Sequence, residues 1–311
     1  MYVRPVAAAA AAFLGFALVL AGGSAAPASA APARGASAPV PATGRDPVRA
    51  AGVPEVYAHR GASAYAPENT LLAVDLAEEL GFDWVENDVQ RTKDGELVVV
   101  HDETLTRTTN VRTLFPDRGP WRVRDFTADE IARLDAGSWF GVEFAGARVP
   151  TLRQYLDRVR SNDQKLLLEI KKPELYPGIE RDTLEVLEEA GWLGEEEVRD
   201  RLVVQSFSAD CVRIVHAERP ELVTAFLGTP PVADLPKYSA FADRINPWHA
   251  TISAEWVAAV HAVTGVHGRP MQVDTWIVDD AALARKVQAM GVDGIITNAP
   301  DVIRQAVAGG V

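Results

Sequence analysis

Two histidines, three carboxylates and two cations stand at or near the ends of short apolar runs in this chain of 311 residues. His59-Arg60-Gly61 ends one run, Glu86-Asn87-Asp88 a second and Glu169-Ile170-Lys171 a third, while His101 lies between the last two. Side chains alternate along a strand, so Glu86 and Asp88 share a face that Asn87 does not, and Glu169 shares one with Lys171. Carboxylates on apolar strands are costly to bury unless they are paired or hold a metal. Three that converge without one repel each other and raise at least one pKa. Oxygen donors with no cysteine and few histidines suit Mg²⁺ or Ca²⁺ better than Zn²⁺. Arg60 can grip phosphoryl oxygens with its forked guanidinium, and Lys171 adds a point charge. His59 and His101 on either side of one phosphate would supply a general acid and a general base. The set points to a site that cleaves phosphodiesters with the help of one divalent cation.

For either charged pair alone, a surface ion pair is the simpler reading. That reading weakens because four separate strand ends carry such groups at once, and the C-terminal strand ends of an α/β barrel are where active sites are built. Eight strand-like runs support that architecture: Val56–His59, Trp84–Asp88, Leu166–Ile170, Leu202–Gln205, Leu222–Phe226, Arg244–Asn246, Met271–Trp276 and Gly294–Thr297. Amphipathic helices are predicted between them at 69–80, 152–160, 179–190, 209–219, 254–262, 281–289 and 301–307. Strands alternating with helices predict a parallel sheet closed into a (β/α)8 barrel. One segment departs from the alternation. Between Asp88 and His101 there is no room for a helix, and Asp94-Gly95 between extended runs signals a hairpin. Folding back there returns residue 101 opposite residue 87 or 88, beside the carboxylates. Residues 104–150 then form an insertion with its own Trp121, Trp139 and Phe140, expected over the barrel mouth. Trp276, at the end of the seventh run, is placed either to pack against a small polar substrate or to fill the top of the barrel. His216, His249, His261 and His267 are read as structural.

Arg4, the apolar stretch from Val6 to Leu20 and the small residues ending at Ala30 have the layout of a secretory signal peptide. Residues 1–30 are therefore expected to be removed on secretion, and 31–52 to be a flexible Ala/Pro-rich leader. That leaves 53–311 as one barrel domain, with no stable membrane anchor. The single cysteine, Cys211, cannot form an intrachain disulfide and reads as a small buried residue. A net charge of −12 argues against nucleic acid and anionic membrane as partners, so an anionic small-molecule substrate must be drawn in by local cations.

These residues fall in a series of motifs. His59-Arg60-Gly61, Pro67-Glu68-Asn69-Thr70, Glu86-x-Asp88, Val100-His101-Asp102, Thr106-Arg107-Thr108-Thr109-Asn110, Leu168-Glu169-Ile170-Lys171 and Asp293-Gly294-Ile295-Ile296-Thr297 together resemble the glycerophosphodiester phosphodiesterases across essentially the whole mature domain. The resemblance implies metal ligation by Glu86, Asp88 and Glu169, an acid–base pair of His59 and His101, and phosphate contacts from Arg60 and Lys171. It also implies a supporting place for Glu68, and substrates such as glycerophosphocholine and glycerophosphoethanolamine that yield glycerol 3-phosphate and an alcohol. Asn298 departs from the pattern, in which Asp often follows the Ile-Thr of the last strand. The loss of one charge there is expected to alter affinity more than chemistry. Rival readings are a phospholipase D-like or wall-polymer phosphodiesterase on the same scaffold, and a secreted protein that binds phosphodiesters without cleaving them. The intact histidine pair argues against the last.

Overall fold

The computed structural model describes residues 52–309, so the expected signal peptide and the leader, Gly52 apart, lie outside the described residues. Nine strands are found there: β1 (Glu55–Ala58), β2 (Trp84–Arg91), β3 (Leu97–Val99), β4 (Lys165–Ile170), β5 (Leu202–Ser206), β6 (Val223–Leu227), β7 (Arg244–Asn246), β8 (Gln272–Thr275) and β9 (Gly294–Thr297). All but β3 run parallel to their neighbours, and β1 pairs with both β2 and β9, which closes the sheet. The result is the (β/α)8 barrel that the alternation of elements predicts. Helices cover its outside between successive strands, including a short one at Leu235–Tyr238 that the sequence pattern does not signal. Four residues are too few to display a helical period.

The two faces of each strand enter separate buried clusters. Tyr57, Trp84, Leu167, Val203, Ala225 and Ile296 pack together as the barrel interior. Val85, Val89, Leu166, Leu168 and Ile170 pack instead with helix residues such as Leu156, Val159 and Leu187. The helices begin where their caps dictate. Ser208 accepts a hydrogen bond from the Cys211 amide, and Asp280 accepts from the amides of Ala282 and Leu283. Cys211 is buried against the barrel, as expected.

The hairpin forms as predicted. β3 pairs antiparallel with β2 in the register Val89 to Val99, and the Val100 amide donates to the Asp88 carbonyl. His101 is thereby returned beside the carboxylate-bearing strand. The segment that follows builds a small core of its own from Leu105, Val111, Val123, Phe126, Ile131 and Leu134, joined to the hairpin through Val98 and Val100.

The barrel interior also holds a buried ion pair. An Arg244 Nη1 donates to the Tyr57 hydroxyl at 2.6 Å and to Asp274 Oδ2 at 2.9 Å. Gly294 makes room for it, because a Cβ there would lie 2.3 Å from Asp274 Oδ1 and 2.6 Å from the Tyr57 ring. Arg244→Leu removes the cation from this buried carboxylate, and we expect it to destabilise the fold by about 3–5 kcal/mol, measured as a lower urea midpoint at unchanged m-value.

Candidate active site

The site begins where β1 ends. His59 is followed by Arg60 at φ 57° and Gly61 at φ 81°, both left-handed. A Cβ on Gly61 would lie 2.5 Å from the Ala73 carbonyl carbon, so only glycine lets this turn press against the first helix, Leu71–Glu79. The turn aims both the backbone and the side chain of Arg60 at the next strand. Its amide donates to Glu86 Oε2 at 3.0 Å, its Nε lies 3.0 Å from Asp88 Oδ2, and Nη1 donates to Glu68 Oε1 at 2.7 Å.

The Pro67-Glu68-Asn69-Thr70 run explains itself residue by residue. Asn69 is left-handed at φ 58°, and its Nδ2 donates to Asp88 Oδ2 at 2.7 Å. Thr70 caps the helix by accepting from the Ala73 amide, which is why the helix starts at Leu71 and not at Asn69. Gln90, two residues past Asp88 on the same face, fixes the hairpin's return. Its Nε2 donates to the carbonyls of Val100 at 2.8 Å and Asp102 at 2.7 Å, while its Oε1 accepts from the Tyr176 hydroxyl.

β4 stands beside β2 with Glu169 in register with Asp88. The Lys171 ammonium sits 2.8 Å from Glu169 Oε1 and 3.6 Å from Asp88 Oδ1. Glu86, Asp88, Glu169 and Lys171 are all buried, so the surface-ion-pair reading does not apply. One oxygen from each of Glu86, Asp88 and Glu169 lies within 4.8 Å of the others. Burial, with Asp88 and Glu169 close by, raises Glu86 well above the usual carboxylate range. Burial likewise pushes Glu169 up to about 7, although Lys171 opposes it. Asp88 goes the other way: burial alone would raise it, but Arg60 and Lys171 hold it well below its ordinary value. Two raised carboxylates beside a depressed one are a cluster short of positive charge. Asp88 Oδ1 is buried and accepts no hydrogen bond. A hard divalent cation fits this all-oxygen set, and the three carboxylates could hold it.

The two histidines are held differently. His101 Nδ1 lies 2.7 Å from Asp102 Oδ1, a carboxylate partner. His59 Nδ1 lies 2.7 Å from Asn298 Oδ1, an amide partner. Asn298 Nδ2 donates to Asp279 Oδ2 at 2.7 Å, and Ser63 donates to Asn298 Oδ1, so the amide must offer its oxygen to His59. His59 therefore carries its proton on Nδ1 and leaves Nε2 free, 3.9 Å from Glu86 Oε2. Burial, with the Arg60 cation beside it, pushes this imidazole down to about 3. Asn298 thus orients a ring at the site, and its effect reaches beyond the charge that its side chain lacks.

His59, Arg60, Glu86, His101, Glu169 and Lys171 all line one cavity of about 110 Å³. Trp276 forms part of its wall with Phe207, the two rings meeting edge to face at 5.5 Å, while the Trp276 indole N–H donates to the Asn246 carbonyl. Glu68 stands behind Arg60. A wider cleft of about 630 Å³ adjoins the cavity, sharing His101, Glu169, Lys171 and Phe207 but not His59. Every site residue expected from the sequence is brought together. Gln90 and Phe207 were not singled out, and Asp102 was quoted only within the Val100-His101-Asp102 motif; Gln90 carried a further signal, as a polar residue at strand spacing from Asp88. Of the histidines expected to be structural, His261 pairs with Asp293 and His267 with Asp243.

A barrel with this strand-end cluster is the architecture of a hydrolase acting on phosphodiesters. Residues 59–302 match the glycerophosphoryl diester phosphodiesterase family, and the chain belongs to that family. It is 36% identical over 258 residues to a glycerophosphodiester phosphodiesterase of Caldanaerobacter subterraneus subsp. tengcongensis, covering 80% of this chain and 95% of the relative. A Bacillus subtilis glycerophosphodiester phosphodiesterase is 33% identical over 266 residues, covering 81% of this chain and 86% of the relative. An Oleispira antarctica phosphodiesterase, solved with the product sn-glycerol-3-phosphate, superposes with a TM-score of 0.71 at 28% identity, covering 83% of this chain and 98% of that one.

Asn69 touches the cluster only through Asp88. Asn69→Ala is expected to weaken divalent-cation affinity on the order of 10–100-fold, measured by titration calorimetry on the purified protein. Unchanged affinity would show that Asp88 is oriented without it.

Proposed function

We propose that the chain hydrolyses glycerophosphodiesters such as glycerophosphocholine and glycerophosphoethanolamine, releasing glycerol 3-phosphate and an alcohol. The observation that carries this reading is the convergence of two histidines, two cations and the carboxylates of Glu86 and Glu169 on one small cavity, with Asp88 buried behind them in the same carboxylate cluster. Arg60 and Lys171 take the phosphate oxygens. Glu86, Asp88 and Glu169 hold one divalent cation, Ca²⁺ or Mg²⁺, which when bound supplies positive charge for the charge that builds on phosphate. His59, neutral and with Nε2 free, accepts the proton of the nucleophile, which is either water or the substrate's own 2-hydroxyl; in the second case water then opens the resulting cyclic phosphate to give glycerol 3-phosphate. His101 faces both the cavity and the wider cleft, with its Nδ1 held by Asp102, and is the ring that donates a proton to the departing alcohol. Trp276 and Phe207 wall the pocket, and Glu68 steadies Arg60. Residues 1–30 support secretion, which would favour Ca²⁺ as the ion. No described helix is long and apolar enough to cross a membrane.

Glycerol 3-phosphate release by the purified chain, measured with Ca²⁺, with Mg²⁺ and with EDTA, tests the reading. Release that depends on one of the ions is expected, and His101→Ala should lose on the order of 10²–10⁴ in kcat. A near-normal rate in that variant would remove His101 from proton transfer. A second reading, amphiphilic diesters such as lysophospholipids, gains support from the exposed apolar side chains of Trp139 and Val142, 39% and 86% accessible. The Trp139 ring centroid lies 5.9 Å from the Arg107 guanidinium, which bonds Asp102 and Glu68. Faster turnover of lysophosphatidylcholine than of glycerophosphocholine would favour it.

A further inference from the structure

One guanidinium joins the loops that carry the two halves of the site. Arg107, just past the hairpin, donates through Nε to Asp102 Oδ2 at 2.7 Å and through Nη2 to Asp102 Oδ1 at 2.9 Å. The same group reaches Glu68, with Nη1 2.6 Å from Oε2 and Nη2 2.8 Å from Oε1. Each carboxylate is gripped by two bonds, and each has a second partner at the site. Asp102 holds His101 at 2.7 Å, and Glu68 holds Arg60 at 2.7 Å. Arg60 in turn contacts Asp88. The chain His101–Asp102–Arg107–Glu68–Arg60–Asp88 therefore runs unbroken from a histidine to a carboxylate of the candidate metal cluster.

Arg107 itself lines neither the cavity nor the cleft beside it. Its side chain is 42% accessible, too open for packing alone to account for this arrangement. Two carboxylates that face one another repel unless a cation stands between them, and a planar fork can bind both bidentately where an ammonium cannot. Without Arg107, Asp102 would keep only His101 and Glu68 only Arg60. Each would then be free to turn, and the ring and the guanidinium would turn with them.

We propose that Arg107 is the positioning residue that fixes His101 and Arg60 relative to one another across the mouth of the barrel. The proposal rests on the phosphodiesterase reading for its kinetic consequences, but its geometric content can be measured without turnover. The test compares Arg107→Ala and Arg107→Lys with Arg118→Ala in the full chain with its divalent cation. Arg118 serves as the control because it belongs to the same inserted segment, pairs with Glu130, lies 4.1 Å from the Phe126 ring centroid and does not reach the site.

Both Arg107 variants should lose kcat on the order of 10²-fold, the cost of a small misplacement of reacting groups, while KM moves far less. Millimolar guanidinium should restore part of the rate in Arg107→Ala and none in Arg107→Lys. Arg118→Ala should lower the melting temperature and leave kcat alone. Independently of activity, the downfield imidazole N–H proton assigned to His101 by its absence in His101→Ala should persist in Arg118→Ala and disappear in both Arg107 variants. Persistence of that proton in Arg107→Ala, a kcat within a few-fold of the parent, an equal loss in Arg118→Ala, or no restoration by guanidinium would overturn the proposal. If the parent releases no glycerol 3-phosphate, the phosphodiesterase reading fails, and the imidazole proton still decides the role of Arg107.

Discussion

Three carboxylates buried within 4.8 Å of one another are the constraint around which the molecule is arranged. Burying even one costs several kcal/mol unless it is compensated, and like charges at this distance cannot all remain ionised unaided. The surroundings show how the cost is met. Arg60 and Lys171 are drawn inward, the Arg60 amide and the Asn69 amide group are spent on carboxylate oxygens, and the remaining imbalance raises Glu86 and Glu169. The left-handed turn at Arg60-Gly61 and the left-handed Asn69 are local strains that the rest of the fold must hold. A strand end in a closed barrel, packed on both sides, is rigid enough to hold them.

That rigidity explains how much was legible in advance. The eight parallel strands, the hairpin and the residues grouped at the strand ends all follow from a period of two and from Asp94-Gly95, which are local properties of the sequence. Glu86, Asp88, Glu169 and Lys171 are placed by the strands themselves, so spacing sufficed for them. The short helix Leu235–Tyr238 was missed because one turn shows no periodicity. Asp102 and Arg107 were missed as individual residues for a different reason. Their roles depend on how a loop from β1, the end of a hairpin and the start of an insertion meet in space, and no spacing rule encodes that meeting.

Asn298 shows the same limit from the opposite side. Read as a sequence, it is an absent charge; in the structure its carbonyl oxygen is fixed toward His59 by Asp279, and so it selects a tautomer. The two imidazoles thus differ in partner, one backed by an amide and the other by a carboxylate, although both end apolar runs and look equivalent in the sequence. Such asymmetry suits a reaction that needs one ring to take a proton and the other to give one. It arises from the residues behind the rings, at positions that the chain reaches from three separate loops.

Charge balance ties these observations to the class of ligand. Fully ionised, the three carboxylates outweigh Arg60 and Lys171 by one negative charge, in line with the upward shift of Glu86 and Glu169. A divalent cation would turn that deficit into a single positive excess and release both lysine and arginine from neutralising carboxylates alone. The ligand that then balances the site carries one negative charge, as a phosphodiester does and a phosphomonoester near neutral pH does not. A monoester product, with its second charge, is over-neutralising in such a pocket. The strongly negative overall field of the chain acts on both ligands, and it repels a dianionic monoester more than a monoanionic diester.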